Sequence, residues 1–192
     1  MEFLDKKDNK TLTMFSRLFL YYNTRAIEGT VNFDSGAYIR DTVKSFVKTG
    51  CCPETVWPYI INKFKKKPNQ QSYNQAKPHM ATVYSRINGL ANMKACLASG
   101  YPFVYGFNVY ESFLSQQVAN TGIVPMPAPG ESLMGGHAGL AVGYDDVSQR
   151  FTIQNSWGTG WGQNGFYTIP YAYLSNTNLA SDFWVINRTK SE

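Results

Sequence analysis

A change of hydrophobic period divides the 192-residue chain and limits what it can fold into. In "SRLFLYYNTRAIEG" Ser16 suits a helix cap, Leu18, Tyr21, Tyr22 and Arg25 are spaced for one face, and Gly29 ends the run. In "DSGAYIRDTVKSFVKTG" the apolar residues Ile39, Val43, Phe46 and Val47 form an amphipathic stripe that stops at Gly50. Two helices are therefore predicted in the first part. Further on, "ATVYSRI" reads as a short strand and "LANMKACLASG" as a helix with Leu90, Met93 and Leu97 on one face. Five runs rich in β-branched and aromatic residues follow: "YPFVYGFNVY", "HAGLAVGY", "RFTIQNS", "GFYTIPY" and "DFWVIN". Helices first and strands afterwards predict an α+β chain with a twisted antiparallel sheet or partial barrel. The polar stretch "KKKPNQQSYNQAKP" reads as irregular and sets a boundary near residue 75, giving a helical lobe over 1–75 and a β-rich lobe over 76–192.

The β-rich part contains "GGHAGLAVGYDD", with one of the two histidines of the chain, His137, behind Gly135 and Gly136. The turn residues "DDVSQR" make the strand after His137 and the strand before Asn155 hairpin partners, which brings these two side chains together. A lone histidine is more often structural than catalytic, but here two glycines leave room for another backbone to approach. An asparagine oxygen can accept from one imidazole nitrogen and aim the other outward. A neutral amide, rather than a carboxylate, suits an imidazole that is already cationic beside a thiolate. Trp157 and Trp161, in "QNSWGTGWGQNGF", fit as indoles that exclude water from the histidine–asparagine bond, although core packing is the plainer role for either alone. Asp145 and Asp146 are expected to form the turn rather than to partner the histidine.

Composition narrows the remaining classes. The net charge of +5 rests on scattered basic residues, and the one dense run, "KFKKKP", reads as a solvated loop, so no nucleic-acid partner is expected. No apolar run approaches the roughly 18 residues of a membrane span, and the charged start "MEFLDKKDNK" is not a signal peptide. Cys51, Cys52 and Cys96 form neither a disulfide framework nor a metal-ligand spacing, which favours a reducing, cytoplasmic setting and no metal.

The residues around His137 and Asn155 resemble the papain-like cysteine peptidases, including the cathepsins. That family carries a histidine in a His-Ala-apolar strand, followed by an Asn-Ser-Trp-Gly motif with a second Trp-Gly and a further glycine, and "QNSWGTGWGQNG" fills each fixed position. The resemblance extends to "SRLFLYYN", at a helix start, and to "DSGAYIRD", where the family has a glycine-containing loop that pairs with substrate backbone. It implies a two-lobe fold with a helical first lobe, a barrel-like second lobe and a peptide or protein substrate between them, without cofactor or metal. It implies His137 as general base, Asn155 as its orienter and Trp157 as a shield. Trp161 would line the primed side, and Ser35 and Gly36 would offer backbone hydrogen bonds to the peptide. Specificity is expected near Met134 and Gly135.

The same resemblance implies a nucleophilic cysteine about 130 to 150 residues before the histidine, between roughly thirteen residues before Met1 and residue 7. No cysteine occurs in "MEFLDKK". The chain is accordingly expected to begin partway along the nucleophile's helix and to be inactive alone, or to work with a missing N-terminal segment or companion chain. A silent peptide- or protein-binding relative is the alternative. Cys51 and Cys52, at the C-terminal end of a helix, and Cys96, on a helix face, are not expected to substitute.

Overall fold

The computed structural model describes residues 1–9 and 12–189. They form two compact units, the first from residues 1–85 with the segment from 186 onward, the second from residues 86–185. The boundary expected near residue 75 falls inside a helix. Among the described residues no helix is long and apolar enough to cross a membrane.

The first unit carries helices α1 (Glu2–Asn9), α2 (Arg17–Glu28), α3 (Ile39–Thr49) and α4 (Gln70–Ala76), then strand β1 (Ala81–Arg86). The Ser16 hydroxyl accepts from the backbone N–H of Phe19 and starts α2, and Gly29 ends it in the left-handed conformation. The buried face of α2 is Leu18, Phe19, Asn23, Thr24 and Arg25, whereas Tyr21 and Tyr22 are only half-buried. The expected stripe is thus turned, because Phe19 packs edge-on against Tyr73 and Asn23 is satisfied by the Phe19 carbonyl and the Tyr73 hydroxyl. Helix α3 begins only at Ile39. It buries Val43 and Ser45 and leaves Ile39, Phe46 and Val47 half-buried.

Within "KKKPNQQSYNQAKP" the structure contains α4, not irregular chain. The Asn69 carboxamide oxygen accepts from the N–H and hydroxyl of Ser72 and caps this helix, which buries only Ser72 and Ala76. A polar helix held by its cap, two small buried residues and the single half-buried ring of Tyr73 leaves no apolar stripe in the sequence.

Helix α5 (Leu90–Ala98) buries Met93 and packs Leu90 and Leu97 against the main core, as their spacing predicts. The strands β2 (Phe103–Tyr110), β3 (Leu133–Asp145), β4 (Arg150–Gln154), β5 (Phe166–Pro170) and β6 (Ala180–Thr189) fall on the five predicted runs. The sheet order is β1-β6-β2-β3-β4-β5. From β6 to β5 every pairing is antiparallel. Strand β2 alternates regularly, with Phe103, Tyr105, Phe107 and Val109 inward. Two short helices escaped prediction: α6 (Gln116–Thr121), capped by Ser115, and α7 (Tyr171–Ser175).

Candidate active site

The period of a strand places His137 on the same face of β3 as Gly139 and Ala141, both of which are buried. A Cβ on Gly139 would come within 2.8 Å of the Tyr167 hydroxyl and 3.0 Å of the Tyr105 ring, so only glycine fits over this tyrosine pair. Two residues earlier the strand reaches the end of the packed core, and there the imidazole stands half-buried opposite Phe107 of β2.

The β3–β4 hairpin pairs Leu140 with Gln154, so Asn155 leaves β4 beside this end of β3. The Nε2 of His137 lies 2.9 Å from Oδ1 of Asn155. The same oxygen accepts the Ser156 backbone N–H at 2.8 Å, and the Asn155 N–H is held by the Gly165 carbonyl at 2.9 Å. A backbone N–H only donates, so the atom facing it is the amide oxygen, and Nε2 is the protonated nitrogen. The lone pair of the neutral ring then sits on Nδ1, which has no hydrogen-bond partner among the described residues. Nδ2 of Asn155 is buried and also without a partner among them.

The ring of Trp157 lies 5.0 Å from that of His137, tilted by 34°, and is 42% exposed. Trp161 stands edge-on to Trp157 at 5.0 Å and to Tyr167 at 5.8 Å, behind the first indole and against the core. Both indoles meet Phe113, a buried residue in the 3₁₀ turn Glu111–Leu114, whose ring is also 6.3 Å from His137. Phe113 carries no periodic signal in the sequence, because the turn that places it begins where the alternation of β2 stops. The Glu131 carboxylate fixes this turn by accepting from the N–H of Ser112 and, at 2.8 Å, from that of Ala128. The Ser112 side chain first, then these backbone bonds, lower the carboxyl from its ordinary value.

Gly135 and Gly136 are exposed, and no atom lies within 4 Å of an added Cβ at Gly135. Met134 beside them is 53% exposed. Asp145 accepts from the Val147 and Ser148 N–H groups and the Ser148 hydroxyl, forming the turn. Asp146 pairs with Lys94 at 2.6 Å and accepts from the Tyr171 hydroxyl. In the first unit Ser35 and Gly36 lie on the exposed loop before α3. There the Gly36 N–H is not open: it donates to the Tyr21 hydroxyl at 3.1 Å.

Residues 31–185 match the sequence model described as "Papain family cysteine protease". The chain belongs to that family. Over 190 residues the papain-family chain is 44% identical to an uncharacterized peptidase C1-like protein of Acanthamoeba polyphaga mimivirus, covering 94% of this chain and 61% of the relative. It is 32% identical over 124 residues to the cathepsin B-like cysteine proteinase 6 of Caenorhabditis elegans, covering 62% of this chain and 31% of that protein. It thus spans less than two thirds of the length of either relative. Among solved structures, xylellain, a cysteine protease from Xylella fastidiosa, superposes with a TM-score of 0.89 at 43% identity, covering 98% of this chain and 75% of that one. Digestive procathepsin L 3 of Tenebrio molitor shares the fold, with a TM-score of 0.69 at 18% identity over 97% of this chain and 60% of its own. The α+β papain-like fold is therefore established.

The cysteines of this papain-family chain are held as thiols. Cys51 and Cys52 are 1% and 0% exposed, and the Cys51 thiol donates to the Ser16 carbonyl at 3.3 Å. Burial pushes Cys51 up strongly and Cys52 up to about 11, and it raises half-buried Cys96 as well. A reactive thiolate needs the opposite surroundings.

Proposed function

We propose that this chain supplies the histidine–asparagine half of a Cys-His-Asn peptidase. A cysteine thiolate attacks the scissile carbonyl while the His137 imidazolium donates its Nδ1 proton to the departing amine, leaving a thioester. Water then attacks the thioester, Nδ1 takes a proton from it, and the carboxylic acid leaves as the sulfur regains its electron pair. Asn155 keeps Nδ1 on the reactive side by binding Nε2–H, and Trp157 keeps water from that bond. In the first unit the backbone of Ser35 and Gly36 is a peptide-binding segment, and in the second the open strand at Gly135 and Gly136 leaves room for a peptide beside His137. The observation that carries this reading is the 2.9 Å contact of His137 with an amide whose orientation is fixed by Ser156.

Because Cys51, Cys52 and Cys96 all sit where the thiol form is favoured, the nucleophile of this reading comes from outside the 192 residues, in a longer polypeptide or a companion chain. Alone, the chain should be inactive, since a triad without its nucleophile keeps only about 10³- to 10⁴-fold acceleration over water. The same raised thiols favour a second reading, a peptide-binding module without catalysis.

A peptidyl epoxide applied to the native protein, followed by peptide mapping, separates the two. The peptidase reading expects one labelled cysteine outside these residues, and loss of both label and hydrolysis in His137→Ala. Label on Cys51, Cys52 or Cys96, or labelling indifferent to His137→Ala, overturns it. Tight binding that is equally strong without the epoxide supports the binding module.

A further inference from the structure

Helix α2 sets Tyr21 and Arg25 one turn apart, on neighbouring positions of its surface. The buried Arg25 guanidinium stacks 3.9 Å from the Tyr21 ring and 5.1 Å from that of Phe64. Its Nη1 donates to the carbonyls of Val31 and Phe33 at 2.9 and 2.8 Å, and its Nη2 donates to that of Phe64. A buried cation held by three carbonyls and aromatic faces, with only its Nε lacking a partner among the described residues, is costly to move, so it fixes the chain leading into the 34–36 loop.

Tyr21 continues this clamp. Its hydroxyl donates to Oδ1 of Asp34 at 2.5 Å and accepts the Gly36 N–H at 3.1 Å. A phenol has a single proton, and here the carboxylate takes it, leaving the oxygen as an acceptor for the amide. Successive hydrogen bonds of this kind polarise one another and strengthen the amide contact. The Gly36 carbonyl, by contrast, receives only a 3.4 Å approach from the Ser35 hydroxyl, at the weak end of hydrogen bonding.

A peptide that adds to one backbone residue in the manner of a strand uses both the N–H and the C=O of that residue. Only the C=O of Gly36 is available. We propose that Tyr21 belongs to the peptide-binding apparatus and competes with a peptide carbonyl for the Gly36 amide. A peptide then docks first on the Gly36 carbonyl and gains the second bond only by displacing the tyrosine hydroxyl. This rests on the peptide-binding role proposed above for Ser35 and Gly36.

The test is titration of the ¹⁵N-labelled 192-residue chain with the blocked tripeptide acetyl-Leu-Phe-Arg-amide, following the Gly36 amide and the dissociation constant. Tyr21→Phe keeps the ring under Arg25 and releases the N–H. It is expected to bind about three- to tenfold more tightly, the value of one net hydrogen bond. Its free Gly36 amide should exchange faster with water than in the parent chain and become protected when peptide is added. Asp34→Ala, which leaves the hydroxyl in place but unanchored, should gain less. Equal or weaker binding by both variants overturns competition by Tyr21 while leaving peptide capture intact. Absence of binding to parent and variants alike sinks peptide capture and this proposal together.

Discussion

The indole of Trp157 and the imidazole of His137 lie 5.0 Å apart at an angle of 34°, and the indole is the more exposed of the two. Trp157 therefore lies against the imidazole ring while itself meeting solvent. Only two histidines occur in the chain, so ¹⁵N spectra can separate His137 from His79, whose ring packs 4.9 Å from Phe15. The neutral His137 ring is expected as the Nε2–H tautomer, with that proton visible and slow to exchange. Asn155→Ala should give a mixture of tautomers. Trp157→Ala should keep the tautomer but speed exchange several-fold. A ring protonated at Nδ1 in the parent chain would contradict the assignment.

Phe113 is expected to matter more than its place outside every motif suggests. It is 1% exposed and touches His137, Trp157, Trp161 and Tyr167. Phe113→Ala should cost about 3 to 5 kcal/mol by urea unfolding. Phe113→Leu should cost less, yet still shift the His137 ring resonances because the neighbouring aromatic ring is lost. Unchanged His137 resonances in the leucine variant would mean that the cluster does not position the imidazole.

Two glycines with the same backbone sign make a contrast in stability. Gly29 and Gly50 have φ of 74° and 72°, but an added Cβ meets nothing within 4 Å at Gly29 and stands 2.0 Å from the Ala76 carbonyl oxygen at Gly50. Gly29→Ala should cost about 1 to 2 kcal/mol, the strain of the left-handed conformation alone. Gly50→Ala should cost at least about 3 kcal/mol or prevent folding, since backbone must move. Equal midpoints in denaturant would refute the close approach.

Alkaline pH should weaken the fold through its thiols. The native state holds the Cys52 proton from its ordinary value of 9.0 up to about 11, while the unfolded chain loses it near 9.0. Over that window the native state binds more protons, so stability is intact below pH 9 and falls as pH rises toward 11. Buried Cys51 and Tyr173, the latter raised to about 12, act in the same direction. Urea midpoints should therefore decline above pH 9, and Cys52→Ala should make the decline shallower. Half-buried Cys96 should react first with a thiol reagent, and Cys51 and Cys52 only on unfolding.

How much of this was legible in the sequence depended on how local the controlling physics was. The caps at Ser16, Gly29 and Gly50, the β2 alternation and the Asp145 turn are interactions between residues a few positions apart, and the sequence announces them. Helix α4 was not legible, because Asn69 caps a segment whose only buried anchors are a serine and an alanine.

The order of helices and strands, the β3–β4 hairpin and the approach of His137 to Asn155 were determined by the sequence itself, since the turn residues and the two-residue period leave one register that buries Phe151 and Ile153. Tertiary structure alone decided that Phe113 completes the aromatic surroundings of His137, that Cys51 and Cys52 are sealed in the core, and that Tyr21 holds the Gly36 amide. Tyr21 and Gly36 lie 15 residues apart, and Cys51 and its Ser16 partner 35; the distance between such partners is set by how helices and sheet pack, which no local pattern of residues encodes.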